Sequence, residues 1–332
     1  RQNAFLRDAA VPLVCRACCH FAAGVSAICT TLDATLQQKT EAIIRRQLIR
    51  LDGKNAKNGA AYVVQPGTGN ILVWVGSKDF YDQSIDGQVN VIMQPRQMGS
   101  ALKPFIYHYA FTKGAHPDQL TVDLEKDFET QKSDEVYRPL NYSLREGGIM
   151  PLKMALANSF NVASVRLLQH LGLEETYQFM KNLGLPFDFP APHYGYSLAL
   201  GSPELSMRTV ADAYAKLAKG IDQSPPLFYL FDTLRNPLNR RRSFGSNSIL
   251  NTNIPFAVKT GTTKDFRDNW TFAYHPDLVI ATWIGNNDNT PMIDVDGITG
   301  AGPIFHEIAE VAIDMGYVKN REISPPPGIT QQ

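Results

Sequence analysis

The chain has 332 residues, of which 44% are hydrophobic and 19% are charged, and this composition excludes an intrinsically disordered protein. Lys plus Arg and Asp plus Glu both number 32, so net charge gives no argument for binding to nucleic acid or to an anionic membrane surface. A chain of this length can bury one large core or two modest ones.

The first 29 residues show no clean hydrophobic period and are predicted to be a linker or leader segment. They contain all four cysteines of the chain, Cys15, Cys18, Cys19 and Cys29. A zinc site would need a second well-spaced pair or histidines, and only His20 is close. We therefore expect no metal and no cofactor, and the disulfide state of these cysteines stays open.

No run of about eighteen uninterrupted apolar residues, the length that spans a bilayer, occurs in the chain. The nearest candidate, residues 9–29, is interrupted by Arg16 and His20. We expect any membrane anchor to lie outside this chain.

A helical segment leading into the main domain is predicted over residues 30–58. Thr30-Thr31-Leu32-Asp33 offers capping residues before an apolar-periodic run that ends at Gly53. A β-hairpin follows, with strands over residues 60–64 and 71–75 and turn-forming residues between them. Met98-Gly99-Ser100 then opens a helix that is predicted to run to Thr112.

The middle of the chain is predicted to be mostly helical after a loop-rich stretch over residues 115–150. A helical period covers residues 151–183, with a break near Gly172. Another helix is predicted to begin at Ser202-Pro203, because Ser caps a helix and Pro suits its first turn, and to end at Gly220. Residues 221–254 are expected to form an exposed excursion, with Arg240-Arg241-Arg242 in a solvated turn.

Three strands close the pattern, over residues 256–260, 270–274 and 278–284, and a last helix begins at Gly302-Pro303. The main domain is predicted over residues 59–320, followed by a Pro-rich tail over residues 321–332. The fold class is α/β in the mixed α+β sense. We expect an antiparallel sheet of about five strands covered by helices on both faces, with an all-helical lobe.

Three short motifs fall on these elements, and each occurs once: Ser100-Ala101-Leu102-Lys103, Ser159-Phe160-Asn161 and Lys259-Thr260-Gly261. A serine hydroxyl is a poor nucleophile until a base removes its proton. Lys103 lies one helical turn after Ser100 and on the same face, so its amine can reach that hydroxyl. Burial and the second cation, Lys259, would lower the pKa of Lys103 and make it a usable base.

The second and third motifs supply the other parts of an acyl-transfer site. The Ser159 hydroxyl can pass a proton to a departing amine, and the Asn161 amide can hold a substrate carbonyl, while Phe160 is expected to turn into the core. The Lys259 cation and the Thr260 and Thr262 hydroxyls suit a terminal carboxylate. Gly261 would leave room for a peptide lying along the strand edge, and the backbone N–H groups of Thr262 and Ser100 would form an oxyanion hole.

With these motifs the chain resembles the transpeptidase domain of class A penicillin-binding proteins, most closely the 1C type. Three further segments carry the resemblance: Thr30-Thr31-Leu32-Asp33 at the entry to the domain, Tyr137-Arg138-Pro139-Leu140-Asn141-Tyr142 before the second motif, and Leu198-Ala199-Leu200-Gly201 through Tyr214-Ala215 further on. The resemblance implies a penicillin-binding transpeptidase fold of the serine β-lactamase type. It also implies Ser100 as the acylated nucleophile, Lys103 as its base and Ser159 with Asn161 as the second motif.

The implied function is a peptidoglycan D,D-transpeptidase that acts on D-alanyl-D-alanine stem peptides, is acylated by β-lactams and works in the periplasm or outside the cytoplasm. Its implied partners are peptidoglycan, β-lactams and other cell-wall synthesis proteins, with no nucleic acid. Sequence alone does not separate this activity from a carboxypeptidase, which transfers the acyl group to water.

Three other functions were weighed against it. A class A β-lactamase usually has a Glu-x-x-Leu-Asn string, which is missing here, and Glu204 is expected to belong to a helix start. A catalytically silent penicillin sensor is the non-enzymatic alternative, but every catalytic group is present. A Ser-His-Asp hydrolase is disfavoured because the chain has no Gly-x-Ser-x-Gly motif.

Overall fold

A computed structural model describes residues 30–129, 136–142, 144–327 and 329. The four cysteines and the predicted leader lie outside the described residues. Within the described part of the chain there are ten α-helices: α1 Ala34–Arg50, α2 Lys103–Thr112, α3 Leu152–Ala157, α4 Asn161–Leu171, α5 Leu173–Asn182, α6 Ala191–Tyr194, α7 Met207–Lys219, α8 Pro225–Arg235, α9 Pro237–Phe244 and α10 Ala301–Asp314. The same residues include eleven strands: β1 Asn58–Val64, β2 Ile71–Val75, β3 Arg96–Gln97, β4 Leu120–Asp123, β5 Phe128–Glu129, β6 Val136–Tyr137, β7 Gly148–Pro151, β8 Glu204–Leu205, β9 Ala257–Thr262, β10 Asp268–His275 and β11 Leu278–Gly285.

The centre of the molecule is a five-stranded sheet in the order β2-β1-β11-β10-β9, and each neighbouring pair is antiparallel. Strand β9, which carries the third motif, therefore lies at one edge of this sheet. Hairpins join the consecutive strands β1 and β2, and likewise β10 and β11, as the turn residues predict. The predicted fold class is confirmed.

Helices cover both faces of the sheet because both faces are apolar. Successive side chains of a strand point to opposite faces. On β1, Tyr62 and Val64 belong to the core shared with α2 and α7, whereas Ala61 and Val63 belong to the core beneath α1 and α10. The larger core continues into the helical lobe built from α2 to α6, so the first and second motifs lie where the lobe meets the sheet.

The leading segment of the chain packs onto the sheet as a helix. Asp33 caps α1 by accepting a hydrogen bond from Leu36 N at 2.8 Å, as the predicted capping residues require. The second carboxylate oxygen of Asp33 accepts a hydrogen bond from the Tyr317 hydroxyl at 2.6 Å. Arg50 at the end of α1 pairs with Glu307 of α10 at 2.9 Å. No helix within the described ranges has the length and apolar character needed to cross a bilayer.

The helix predicted to begin at Ser202-Pro203 begins later, at Met207. Its cap is Ser206, whose hydroxyl accepts a hydrogen bond from Thr209 N at 3.1 Å. Glu204 was expected in that helix start, but it belongs to β8 and pairs with Gln97 of β3. The earlier start was wrong because residues 204–205 add a strand beside the segment that leads into the first motif.

The exposed excursion predicted over residues 221–254 is also wrong. Two helices, α8 and α9, fill much of it, and the side chain of Arg240 is 3% exposed. Its guanidinium donates hydrogen bonds to Leu234 O at 2.7 Å and to Leu250 O at 3.3 Å. Arg240 therefore joins the end of α8 to the segment before β9, whereas Arg241 and Arg242 are exposed.

Candidate active site

The three sequence motifs come together although up to 161 positions separate them. Ser100 lies in a 3-10 turn, Gly99–Leu102, that leads directly into α2, and Lys103 is the first residue of that helix. Ser159 lies between α3 and α4. Lys259 reaches Ser159 from β9, its Nζ donating a hydrogen bond to Ser159 Oγ at 2.8 Å.

The Lys103 amine is fully buried and directed at the second motif. Nζ donates hydrogen bonds to Ser159 O at 2.7 Å, to Phe160 O at 3.2 Å and to Asn161 Oδ1 at 2.6 Å. It also lies 3.5 Å from Ser159 Oγ. Among the described residues these are its hydrogen bonds, and none joins it to the Ser100 hydroxyl. The reach from Lys103 to Ser100 stays a prediction.

Burial and a neighbouring cation make Lys103 a much weaker base than an ordinary lysine. Desolvation is the larger cause of a pKa well below the usual value, and the positive charge of Lys259 adds to it, while Asp123 acts in the opposite direction. A lysine at this site therefore loses its proton more readily than an exposed lysine does.

Ser159 Oγ lies between two lysine amines in an unusual backbone conformation. The φ angle of Ser159 is 64°, a left-handed value that non-glycine residues adopt rarely and that is found most often at functional sites. Burial lowers the pKa of Lys259 to about 7. A hydroxyl between two buried amines with lowered pKa values is suited to relaying protons.

The structure shows a reason for a glycine at position 261 that the sequence did not predict. A Cβ added to Gly261 would lie 2.4 Å from Met98 O and 3.2 Å from the Ala101 side chain. Gly99, with a φ of 56°, is similarly close to the edge strand: a Cβ added to it would lie 2.7 Å from Thr262 O. The lack of side chains thus makes room for the turn that carries Ser100, and room for a peptide substrate beside Gly261 stays a prediction.

The two threonines of the third motif differ in access. Thr260 is 7% exposed, and its side chain packs against Gly297, where an added Cβ would lie 2.5 Å from Thr260 Cβ. Thr262 is half-buried at the end of the edge strand. Thr262 is therefore the better placed of the two for a carboxylate, and the carboxylate roles of both remain predictions.

Sequence reasoning missed residues that hold the Ser100 turn. Gly201 O accepts a hydrogen bond from Gly99 N at 3.2 Å, and a Cβ on Gly201 would lie 1.8 Å from Gly99 O. The Tyr214 hydroxyl donates to Ala101 O at 2.7 Å. Gly201 and Tyr214 both lie in a segment that carries the family resemblance, but no sequence signal showed that they touch the first motif.

The site defines a class of protein in which a serine at a helix start is followed one turn later by a buried lysine, and this lysine meets a second buried lysine from the sheet edge at Ser159. A family model described as the penicillin binding protein transpeptidase domain matches residues 59–229. This match covers the first two motifs and ends before Lys259. The chain therefore belongs to the penicillin-binding protein transpeptidase family.

Individual relatives agree with that assignment. Penicillin-binding protein 1C of Escherichia coli (strain K12) is 30% identical over 310 residues, a stretch that covers 86% of this chain and 38% of the relative. The chain thus spans well under half the length of that relative.

Solved structures show the same fold. Penicillin-binding protein 1A from Haemophilus influenzae superimposes with a TM-score of 0.70 at 20% identity, covering 82% of this chain and 49% of that one. The PonA1 protein from Mycobacterium tuberculosis in complex with penicillin V gives 0.70 at 17% identity, covering 91% of this chain and 89% of that one.

Proposed function

We propose that this chain is a D,D-transpeptidase that cross-links peptidoglycan, with Ser100 as nucleophile and Lys103 as general base. The observation that carries the proposal is that Lys103, one helical turn after Ser100, meets Lys259 at the Ser159 hydroxyl. Two buried amines with lowered pKa values are the groups that acyl transfer by serine needs when no histidine serves as base.

In the acylation step, neutral Lys103 takes the Ser100 proton as Oγ bonds to the penultimate D-alanine carbonyl carbon. The carbonyl oxygen becomes an oxyanion, held by the backbone N–H groups of Ser100 and Thr262. The terminal D-alanine leaves as its C–N bond breaks, and its nitrogen receives a proton through the Ser159 hydroxyl. Lys259 with Thr262 holds its carboxylate.

In the second step an amine of a neighbouring stem peptide attacks the ester carbon of the acyl-enzyme. The new amide forms, the Ser100 Oγ bond breaks, and the proton lost by the amine returns to Ser100. A β-lactam ring opens in the same first step and leaves an ester on Ser100. Because peptidoglycan lies outside the cytoplasm, we place the catalytic unit there.

The test is a D-alanine release assay with a D-alanyl-D-alanine peptide, with and without an added amine acceptor. We expect release in both, and a cross-linked product whose yield rises with acceptor concentration. Ser100→Ala should release no D-alanine, whereas Ser84→Ala, at an exposed serine in a separate turn, should match the wild type. Release without any amide product at saturating acceptor would contradict transpeptidation in favour of transfer to water.

A further inference from the structure

We propose that Asp123, which lies outside all three motifs, is a positioning residue for Lys103. Its carboxylate fixes the first turn of α4 and, through Asn141, fixes the amide that holds the Lys103 amine. The catalytic consequence of this arrangement rests on the proposed function, whereas the arrangement itself can be tested without it.

Asp123 is fully buried at the end of β4 and satisfied by three donors. Oδ1 accepts a hydrogen bond from Ala163 N at 2.8 Å. Oδ2 accepts from Gly147 N at 2.8 Å and from Asn141 Nδ2 at 2.5 Å. A Cβ on Gly147 would lie 2.6 Å from Oδ2, so a glycine is needed there for the loop to close on the carboxylate.

The contacts of Asp123 reach Lys103 through Asn141 and Asn161. Asn141 Oδ1 accepts from the backbone N of Asn161 at 2.7 Å, while Asn161 Nδ2 donates to Leu140 O at 2.7 Å. The first bond fixes the Asn161 backbone and the second orients its side-chain amide, whose Oδ1 accepts from Lys103 Nζ at 2.6 Å. The amide of Asn141 cannot turn over without opposing donor to donor at Asn161 N.

The carboxylate replaces the missing cap of α4. The N-cap position is Phe160, whose side chain has no acceptor, although the first N–H groups of a helix need one. Asp123 supplies it from 40 residues upstream at the N–H of Ala163, and its negative charge suits the positive end of the helix.

The charged and titratable groups that face Lys103 are few among the described residues. Lys259 approaches from β9, Asp123 from β4, and Tyr107 lies one turn further along α2. Tyr107 is fully buried, and burial raises the pKa of its hydroxyl, so it is neutral in the working range. Asp123 is therefore the negative charge that opposes the lowering of the Lys103 pKa.

The decisive variant is Asp123→Asn, which keeps the shape and removes the charge. Its amide can accept from Ala163 N only by pointing its own donor at Asn141 Nδ2 and Gly147 N. We expect acylation by a labelled penicillin to slow about tenfold to hundredfold. The acid limb of its pH–rate profile should move to lower pH, because Lys103 loses an opposing negative charge. Glu125→Gln, at an exposed carboxylate two residues away, should keep the wild-type rate and profile.

The Lys103 pKa should also be read directly, by NMR titration of protein labelled with ¹³Cε-lysine and assigned with Lys103→Arg. Asp123→Asn should lower that pKa and Glu125→Gln should not. An unchanged pKa and acid limb in Asp123→Asn would overturn the proposal, even if the rate fell along with stability. If no penicillin acylates the wild-type chain, the proposed function is rejected. The titration would still show whether Asp123 acts on the Lys103 pKa.

If Asp123→Asn does not fold, Asn141→Ala takes its place. This variant removes the link to Asn161 and leaves the bonds from Gly147 N and Ala163 N to Asp123. We expect at least a tenfold loss of acylation rate with the fold retained. A folded Asn141→Ala with the wild-type rate would overturn the positioning role.

Discussion

Ser159 shows how the site depends on single residues. Its left-handed backbone turns the carbonyl of the same residue toward Lys103, while its hydroxyl receives the Lys259 amine. Such a backbone conformation costs on the order of 1–3 kcal/mol. Sequence reasoning placed Ser159 and Asn161 in the cleft, but it did not foresee that both would hold Lys103, because nothing in a residue pattern reveals a backbone angle.

Lys259 should lower the stability of the fold in a pH-dependent way. Its pKa falls from the ordinary 10.5 to about 7 on burial, so between those values the unfolded chain binds a proton that the folded chain does not. Stability therefore rises with pH across that window, and the full cost of the buried charge applies below pH 7. Lys259→Met removes the cost but also two hydrogen bonds, to Ser159 Oγ and Thr260 O.

We expect Lys259→Met to unfold with a free energy about 1–2 kcal/mol above that of the wild type at pH 6. The gain should shrink toward pH 10. Urea denaturation at pH 6, 8 and 10 measures it, with Lys264→Met, at an exposed lysine, as the control. A difference between Lys259→Met and wild type that does not vary with pH would contradict the assigned pKa.

Gly261 should tolerate no side chain. In Gly261→Ala the new methyl would overlap Met98 O and displace the turn that carries Ser100, so we expect acylation to fall about a hundredfold or more. Gly67→Ala is the matched control, because nothing lies within 4 Å of a Cβ at that position. Penicillin acylation rates measure both, and equal rates for the two variants would refute the close approach of turn and strand.

The sequence predicted the helices and strands whose position is determined by their own residues. The cap at Asp33, the β1–β2 hairpin and strands β9 to β11 appear where periodicity and turn residues put them. The start of α7 was misplaced, because residues 204–205 pair with β3 in preference to a local helix. Helix α9 was missed because its run of arginines suggested a solvated turn although Arg240 is buried, and α8 was missed although its residues are largely apolar.

Arg240 should matter to stability far more than its neighbour Arg241. Arg240→Ala would leave the carbonyl groups of Leu234 and Leu250 without their donors inside the protein. We expect a loss of about 2–4 kcal/mol in the free energy of unfolding. Arg241→Ala should change it by less than about 0.5 kcal/mol. Thermal denaturation of both variants measures the difference in stability. Similar melting temperatures would show that the hydrogen bonds of Arg240 do not stabilise the fold.

On the scale of the whole molecule, the sheet and the lobe together make one site from distant parts of the chain. The nucleophile turn comes from the lobe, Lys259 from the sheet edge, and Asp123 from the long connection between α2 and α3. The sequence motifs predicted which residues would meet. They could not predict Asp123, or the contacts of Gly201 and Tyr214 with the first motif, because these contacts run across the fold and no local pattern reveals them.

The most direct measurement is the intact mass of the protein after incubation with penicillin, followed by mapping of the modified peptide. We expect one added acyl group per chain, located on Ser100, absent from Ser100→Ala and strongly reduced in Lys103→Ala. An acyl group on another residue, or wild-type labelling of Ser100→Ala, would contradict this expectation.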